Sequence, residues 1–119
     1  MAGRREKLRR VGIIPEYRGF TPDGLASGDA IDMTVDELEV LRLCDLEGLN
    51  QEAVAQQMGI ARATVAAISS RAHRKVANAL VNGRALVIEG GNIAYSPIAT
   101  TTAAWPAKEV GTMRVATTY

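Results

Sequence analysis

Cysteine and histidine are nearly absent from this chain of 119 residues, which contains only Cys44 and His73. A single cysteine excludes a disulfide within the chain and a zinc site built from several cysteines. A single histidine excludes a histidine-rich metal centre. Because no nucleophile, base and ligand cluster can be assembled from these residues, we expect no metal, no cofactor and no enzymatic activity.

Aromatic residues and long apolar runs are also scarce. Aromatic residues make up 4% of the sequence and hydrophobic residues 47%, so the core is expected to be aliphatic. No apolar run approaches the roughly 20 residues that a membrane-spanning helix needs. The basic N-terminus is followed only by the short run Val11–Ile14, which Pro15 ends and which is too short for a secretory signal. We expect a cytoplasmic protein without a membrane partner.

The net charge of +1 conceals three blocks of different sign. Residues 1–18 carry six basic and two acidic side chains, residues 19–61 one basic and nine acidic, and residues 62–84 five basic and none acidic. Such blocks are typical of a protein with a polyanionic partner such as nucleic acid. They are equally typical of segments that neutralise one another within the fold.

Composition divides the chain into three parts. We expect residues 1–10 to be a flexible basic arm, residues 11–92 a folded domain, and the Ala- and Thr-rich residues 93–119 a poorly ordered tail. In the tail, Met113–Thr118 has the composition of a strand, and Trp105 is a candidate to pack back on the domain.

Three further segments are assigned from local propensity. Arg10–Pro15 is predicted to contain a short strand, because Val11, Ile13 and Ile14 favour extended structure and Pro15 ends the run. Tyr17–Ala30 contains Pro22 and several glycines and is predicted to be a loop. Ala85–Ile88, which follows the turn signal Asn82-Gly83, is predicted to be a second strand.

A capping box predicts the start of the first helix. In Thr34-Val35-Asp36-Glu37, the Thr34 hydroxyl can accept from the Glu37 amide while the Glu37 carboxylate reaches back. The helix is predicted to run from about Val35 to Glu47 and to end at Gly48 in the left-handed conformation. Its apolar residues lie on more than one face, so we expect it to pack on two sides.

The segment from Asn50 to Leu80 carries the most informative pattern. Asn50 is predicted to cap a short helix, Gln51–Met58, and Gly59 to make a turn before a longer helix from near Arg62 to about Leu80. Ala55 supplies the small residue where the two helices touch, and apolar residues fill the wedge between them: Val54, Met58, Ile60, Val65 and Ile68. This is the pattern of a helix-turn-helix, although a helical hairpin that does not bind DNA would pack in the same way. The predicted fold class is mainly α, a helix-turn-helix three-helix core with short flanking β-strands.

The sequence also resembles a family of small, functionally uncharacterised prokaryotic proteins predicted to bind DNA through a helix-turn-helix similar to region 4 of the sigma factors. The resemblance covers about residues 9–92 and lies in spaced blocks: Arg9-Arg10-Val11, Pro15-Glu16-Tyr17, Phe20, Pro22, Thr34–Glu39, Leu41-Arg42-Leu43, Asp45–Leu49, Gln51-Glu52, Met58-Gly59, Arg74–Ala77, Ala79–Gly83 and Ile88–Asn92. It implies the same fold and DNA binding, but no known target.

The chain departs from the family pattern at several positions. Ala61 stands where a serine usually caps the second helix of the motif. Because alanine has no side-chain acceptor, the helix lacks about 0.5–2 kcal/mol of the stability that a cap provides. Gly12 stands where many relatives are expected to have a cysteine. Ala63, Ala66 and Ala67 replace longer polar residues on the surface expected to face DNA.

Two sets of residues are the candidates for DNA binding. The second helix of the motif contributes Arg62, Ala63, Thr64, Ala66, Ala67, Ser70, Arg71, Arg74 and Lys75. The arm contributes Arg4, Arg5, Lys7, Arg9 and Arg10, which would follow the DNA backbone or enter a minor groove, or form a solvated terminus. In the first set, Arg62 is suited to a bidentate contact with guanine, whereas Arg71, Arg74 and Lys75 are suited to phosphates.

The expected partner is double-stranded DNA, bound by a homodimer because one helix offers few base contacts. The helix Val35–Glu47 and the two predicted strands are candidate dimer elements, unless they pair within one chain. The alternative function is a protein-interaction module that docks on RNA polymerase or another regulator.

Other polar residues receive structural assignments. His73 is expected on the surface and Cys44 in the core, while Asp45 and Glu47 are expected as exposed helix charges.

Overall fold

Residues 8–95 are the part of the chain that the computed structural model describes. Their elements are β1 (Arg9–Val11), β2 (Gly19–Phe20), β3 (Ile31–Met33), α1 (Val35–Leu41), a π-helical segment (Arg42–Leu46), α2 (Gln51–Met58), α3 (Arg62–Asn82), β4 (Leu86–Ile88) and β5 (Ile93–Tyr95). The fold is therefore mainly α with short strands, as expected. The expectations for Arg4, Arg5, Lys7, Trp105 and Met113–Thr118 lie outside the described residues.

Local capping defines where the helices begin. At α1 both bonds of the capping box form: the Glu37 amide donates to the Thr34 hydroxyl at 3.4 Å, and the Thr34 amide donates to Glu37 Oε1 at 3.0 Å. At α2 the Ala53 amide donates to Asn50 Oδ1 at 2.8 Å. Both predicted starts are confirmed. Helix α3 follows Ala61 without a side-chain cap, as the departure at that position implies.

One hydrophobic cluster holds the three helices together. It consists of seven buried residues from α1, the π-helical segment, α2 and α3: Val40, Leu43, Val54, Ala55, Met58, Val65 and Ile68. Cys44, Leu49 and Ile60 pack against it. The connection between α2 and α3 turns at Gly59, whose φ of 71° is left-handed and suits a glycine. The residues predicted to fill the wedge between these helices thus lie in this core.

A second cluster joins the strands to the other side of α1 and to the middle of α3. It consists of Val11, Met33, Val35, Ala72 and Ile88. Helix α1 therefore packs on two sides, and both sides are covered by its own chain. A contact of this helical region with a second copy of the chain stays a prediction.

The strands form two small sheets. In one, β4 lies between β2, which is antiparallel to it, and β3, which is parallel to it. In the other, β1 and β5 pair in parallel, with Arg9 opposite Ile93 and Val11 opposite Tyr95. The strands suggested as dimer elements therefore also find partners within the chain.

Several predicted boundaries need correction. The strand expected over Arg10–Pro15 is β1, which begins at Arg9 and ends at Val11 because the Gly12 amide donates to Glu39 Oε2 at 2.9 Å rather than to a strand. Arg9 and Arg10, expected in a flexible arm, lie in this strand, and β5 lies within residues expected to be tail. The loop expected over Tyr17–Ala30 is interrupted only by β2.

The last turn of the first helix is also different from the expectation. The α-helix ends at Leu41, and the chain continues as a π-helical segment in which the Glu47 amide donates to the Arg42 carbonyl at 2.9 Å. A turn of this width brings residues five apart to the same side. It allows the Arg42 guanidinium to pair with the carboxylate of Glu47. Gly48 then adopts the predicted left-handed conformation, with a φ of 78°.

Among residues 8–95, none of the helices combines the length and the apolar character that crossing a membrane requires.

Candidate nucleic-acid interface

One side of α3 is left uncovered by the rest of the domain. We call this the outward face; it consists of Ala63, Ala66, Ala67, Ser70, Arg74 and Ala77, all of them exposed. The opposite side carries the predicted apolar stripe, in which Val65, Ile68, Ala72 and Ala79 are buried. Arg62 is exposed at the first position of the helix and Thr64 is half-buried. The side chains of the outward face are short except for Arg74.

Arg71 and Lys75 do not lie on the outward face, because both reach towards Glu37 of α1. Lys75 Nζ donates to Glu37 Oε1 at 2.8 Å, and Arg71 Nε donates to Glu37 Oε2 at 3.3 Å. Helical periodicity places these two residues on the flank between the buried and the outward sides. Both were assigned to phosphates from the sequence, and the structure adds an acidic partner that the sequence analysis missed.

The Glu37 carboxylate is the buried centre of this contact, since the residue is 2% exposed. Burial alone would raise the pKa of Glu37. The hydrogen bonds from Lys75, the Thr34 amide and Arg71, together with the charge of Lys75, outweigh burial and lower the pKa of Glu37 below its ordinary value. Glu37 therefore stays ionised at neutral pH and compensates one of the two positive charges beside it.

A second contact joins the far end of the first helical region to the other flank of α3. His73 Nε2 and Asp45 Oδ2 are 2.7 Å apart, and both side chains are about half exposed. Helix α1 and the π-helical segment thus cross α3 and are attached to it on both flanks. His73 is on the surface, as predicted, and Asp45 is exposed, as predicted. Glu47 is not: its side chain is 3% exposed because it pairs with Arg42.

Two further arginines of the candidate set are engaged within the fold. Arg9 Nη1 donates to Asp36 Oδ2 at 3.3 Å. Arg10 donates to the last carbonyls of α2, from Nε to Gln57 at 2.8 Å and from Nη2 to Gln56 at 3.1 Å. A cation in this place compensates the negative end of the helix. These two residues of the expected arm therefore stabilise the domain in addition to carrying positive charge.

Three acidic residues of α1 are buried, which the sequence pattern did not reveal. Asp36, Glu37 and Glu39 are each at most 3% exposed. Glu39 accepts from Arg42 at 2.8 and 3.0 Å and from the Gly12 amide. A capping box and acidic residues in a first turn indicate where a helix begins, but they do not indicate whether those residues are buried. The signal that could have revealed the burial is the excess of basic side chains in residues 1–18 and 62–84, which can pair with buried carboxylates. Part of the acidic charge of residues 19–61 is compensated in this way within the fold.

Comparison with known proteins places the chain in a family. The profile of the family described as "Protein of unknown function DUF134" matches residues 1–96. The chain belongs to the DUF134 family. This agrees with the resemblance to a family of small uncharacterised prokaryotic proteins.

Three curated relatives are similar to this DUF134 chain over 89 to 95 residues. The chain is 48% identical over 95 residues to the UPF0251 protein of Desulforudis audaxviator, covering 78% of this chain and 62% of the relative. It is 47% identical over 89 residues to the UPF0251 protein of Caldicellulosiruptor bescii, covering 75% and 63%. It is 47% identical over 92 residues to that of Prosthecochloris aestuarii, covering 76% and 59%. The chain spans about three fifths of the length of these relatives. No solved structure matches it.

Residues 8–95 contain no group of three or more His, Cys, Asp or Glu side chains placed to hold a metal ion. Cys44 is half-buried against the helical core; burial, and then the charge of Asp45, raise the pKa of its thiol. The thiol is therefore protonated at neutral pH, and its packing against the core agrees with the structural role expected of Cys44.

Proposed function

We propose that this DUF134 chain is a DNA-binding protein that acts as a transcriptional regulator, with α2 and α3 forming a helix-turn-helix similar to region 4 of the sigma factors. The observation that carries the proposal is the outward face of α3. It begins at the first turn of the helix, it is exposed and it carries Arg74, while Arg62 is exposed at the first position of the helix and residues 62–84 contain no acidic side chain.

The size of the outward face suits a major groove. The major groove of B-DNA is about 12 Å wide, close to the roughly 10–12 Å diameter of a helix with its side chains. Ala63, Ala66, Ala67 and Ser70 project little from the backbone, so the first turns of α3 can enter the groove deeply. Alanine methyl groups can contact thymine methyl groups but cannot select other bases.

Two arginines supply the polar contacts in this arrangement. Arg62 lies at the N-terminal end of α3, where a guanidinium can donate two hydrogen bonds to guanine. Arg74 lies three turns further along, where it reaches the phosphate backbone. Neither pairs with an acidic side chain in residues 8–95, whereas Arg71 and Lys75 share Glu37. Arg62 is thus the one side chain of this set suited to a bidentate base contact, and we expect modest sequence preference from one copy of the domain.

The experiment is an in vitro selection of sheared genomic DNA by the purified chain near physiological salt, followed by sequencing. Enrichment of a defined site, relaxed at one base pair of each half-site in the Arg62→Ala variant, supports the proposal. The matched control is Arg84→Ala, which removes the same charge at the opposite end of α3, where Arg84 Nε donates to the Asp29 carbonyl. Absence of binding at low salt would overturn the proposal.

One observation favours a second candidate function, docking on RNA polymerase or another regulator. The outward face is mostly alanine and has few hydrogen-bonding groups, which suits a protein surface as well as a groove. Equal recovery of all genomic fragments, with polymerase subunits retained on the immobilised chain, would favour this alternative.

A further inference from the structure

A cavity lies where the end of β4 meets the start of α1 and the segment that follows β1. Its volume is about 220 Å³. Two charged residues of opposite sign, Arg18 and Glu89, line this cavity. Four aliphatic residues from four different segments line the rest of it: Ile14, Val35, Ile88 and Ile93. The cavity therefore combines an aliphatic wall with one charge of each sign.

Backbone hydrogen bonds fix the walls of the cavity. The Ile88 amide donates to the Arg18 carbonyl at 2.8 Å, and the Val35 amide donates to the Gly90 carbonyl at 3.0 Å. The Val35 and Ile88 side chains are 7% and 3% exposed and belong to the second hydrophobic cluster, which includes Ala72 of α3. The cavity is thus preformed, because the contacts that hold its walls are contacts of the fold itself.

Strand register places Arg18 and Glu89 close together. Gly19 pairs with Val87 in the antiparallel β2–β4 pairing, so Arg18 lies opposite Ile88. Opposite residues of an antiparallel pair project to the same face, so the Arg18 side chain begins on the side of the sheet where Ile88 lines the cavity. Glu89 follows Ile88 directly, which puts the Cα atoms of Arg18 and Glu89 within about 10 Å of each other.

Neither of these two charges is neutralised within residues 8–95. The Arg18 guanidinium and the Glu89 carboxylate form no hydrogen bond or ion pair with each other or with another described side chain. Arg42, by contrast, pairs with both Glu39 and Glu47. Both charged groups of the cavity can therefore bind a ligand without first breaking a contact within the fold.

We propose that this cavity binds a free aliphatic α-amino acid such as leucine. The Arg18 guanidinium can donate two parallel hydrogen bonds to the carboxylate of the ligand, and the Glu89 carboxylate can accept from its ammonium group. The branched side chain of the ligand is then buried against Ile14, Ile88 and Ile93. The volume is below the roughly 300–1,000 Å³ of pockets for drug-sized ligands, which agrees with a ligand of this size.

The two charges select this class of ligand among small aliphatic molecules. An aliphatic carboxylate would leave Glu89 without a partner, and an aliphatic amine would leave Arg18 without one. A polar amino acid would place its side chain against the aliphatic wall without hydrogen bonds, which is unfavourable. Only a molecule that is both zwitterionic and aliphatic satisfies the whole cavity.

The test is a titration of the ¹⁵N-labelled full chain with L-leucine, without DNA, followed by the amide shifts. Concentrations up to about 10 mM nearly saturate a site with a dissociation constant of about 1 mM. We expect saturable shift changes at the amides of Gly90, Gly91 and Ile93. Arg18→Gln and Glu89→Gln should each raise the dissociation constant about tenfold, because each removes a charge-assisted hydrogen bond.

Both variants change exposed residues, so the fold is kept. Glu52→Gln is the matched control, since it removes the same charge as Glu89→Gln from an exposed residue of α2 that does not line the cavity. Isocaproate and isoamylamine are the matched ligands, because each lacks one charged group of leucine. Each should bind about tenfold more weakly than leucine.

Three results would overturn the proposal: no saturable shift changes with leucine, an analogue that binds as tightly as leucine, or a Glu52→Gln variant weakened as much as Glu89→Gln. The site is independent of the proposed function, because its lining residues lie on the strand side of the domain and not on the outward face of α3. Leucine binding by a chain that binds no DNA would contradict only the proposed function.

Discussion

The replacement of Glu37 by glutamine tests the buried contact that attaches α1 to α3. Glutamine occupies nearly the same volume and can also complete a capping box, so the start of α1 is kept. The change removes the negative charge that accepts from Lys75 at 2.8 Å and from Arg71 at 3.3 Å. Any loss of stability therefore reports on the ion pairs rather than on the cap.

The size of the loss follows from the exposure of the partners. A buried hydrogen bond to a charged group contributes about 1.5–3 kcal/mol. The Arg71 and Lys75 side chains are 53% and 29% exposed, so water competes for both donors. We therefore expect Glu37→Gln to lower the free energy of unfolding by about 1–2 kcal/mol at pH 7. In a domain of this size that is a fall in melting temperature of about 5–15 °C.

The sign of the pH dependence is fixed by the lowered pKa of Glu37 in the folded chain. The stabilisation is fully present above the ordinary carboxyl value of 4.5 and is lost as the pH falls through the lower folded value. The difference in stability between wild type and Glu37→Gln should therefore be constant from pH 7 to about pH 5 and should shrink below it.

Urea unfolding followed by circular dichroism, at several pH values between 7 and 3, measures this difference. Thr34→Val is the control, since it removes the capping hydroxyl but leaves the carboxylate of Glu37 in place. The loss of unfolding free energy caused by Thr34→Val should be nearly independent of pH. If Glu37→Gln causes no loss of unfolding free energy at pH 7, or a loss that stays unchanged down to pH 3, the reasoning is refuted.

Three other substitutions have definite expected outcomes. Arg74→Ala should reduce the slope of log K against log salt by about 0.9 for any DNA sequence, whereas Arg84→Ala should change it less; salt titrations of fluorescence anisotropy decide this. Ala61→Ser should raise the free energy of unfolding by about 1 kcal/mol in urea unfolding, because Ala61 has the extended backbone of a cap but no capping side chain; no gain would show that α3 is already capped. Gly91→Ala should lower the free energy of unfolding by about 1–3 kcal/mol in urea unfolding, since the φ of Gly91 is 107° and the new methyl would lie 2.7 Å from Asp36 Oδ1. A Gly91→Ala variant as stable as the wild type would contradict this local geometry.

The helical core could be predicted from the sequence because its signals are local. Thr34 and Asn50 cap their helices, Gly59 turns the chain between α2 and α3, and Val65 and Ile68 lie at the spacing that buries one side of a helix. Each of these features depends on residues within one or two helical turns, so one sequence suffices to find them.

The strand predicted over Ala85–Ile88 is confirmed as β4, and β1 overlaps the strand predicted over Arg10–Pro15. The pairing of the strands into sheets could not be predicted, because it joins distant residues. Strand β4 is three residues long and pairs with β3 and β2, which lie more than 50 residues before it. Three residues such as Ile31–Met33 show too little alternation to indicate a strand. The partner of β1 is β5, which lies in a segment whose composition favoured a tail.

The exposure of the candidate residues was predicted in part, whereas their role in binding DNA stays a prediction. The outward face of α3 follows from helical spacing, so the positions of Ala63, Ala67 and Arg74 agree with expectation. The pairing of Arg71 and Lys75 with Glu37 depends on how α1 crosses α3, which no local pattern encodes. The burial of a carboxylate is likewise a property of the packed helices and not of its own segment.

Nuclear magnetic resonance is the most direct test of the claim that the outward face of α3 binds DNA. The measurement is a titration of the ¹⁵N-labelled full chain with a duplex of about 20 base pairs at low salt, a length that covers two turns of DNA. The account predicts that the largest shift changes occur at the amides of Ala63, Ala67 and Ser70. Shift changes that are absent, or that are confined to residues around Gly83 and β3, would contradict it.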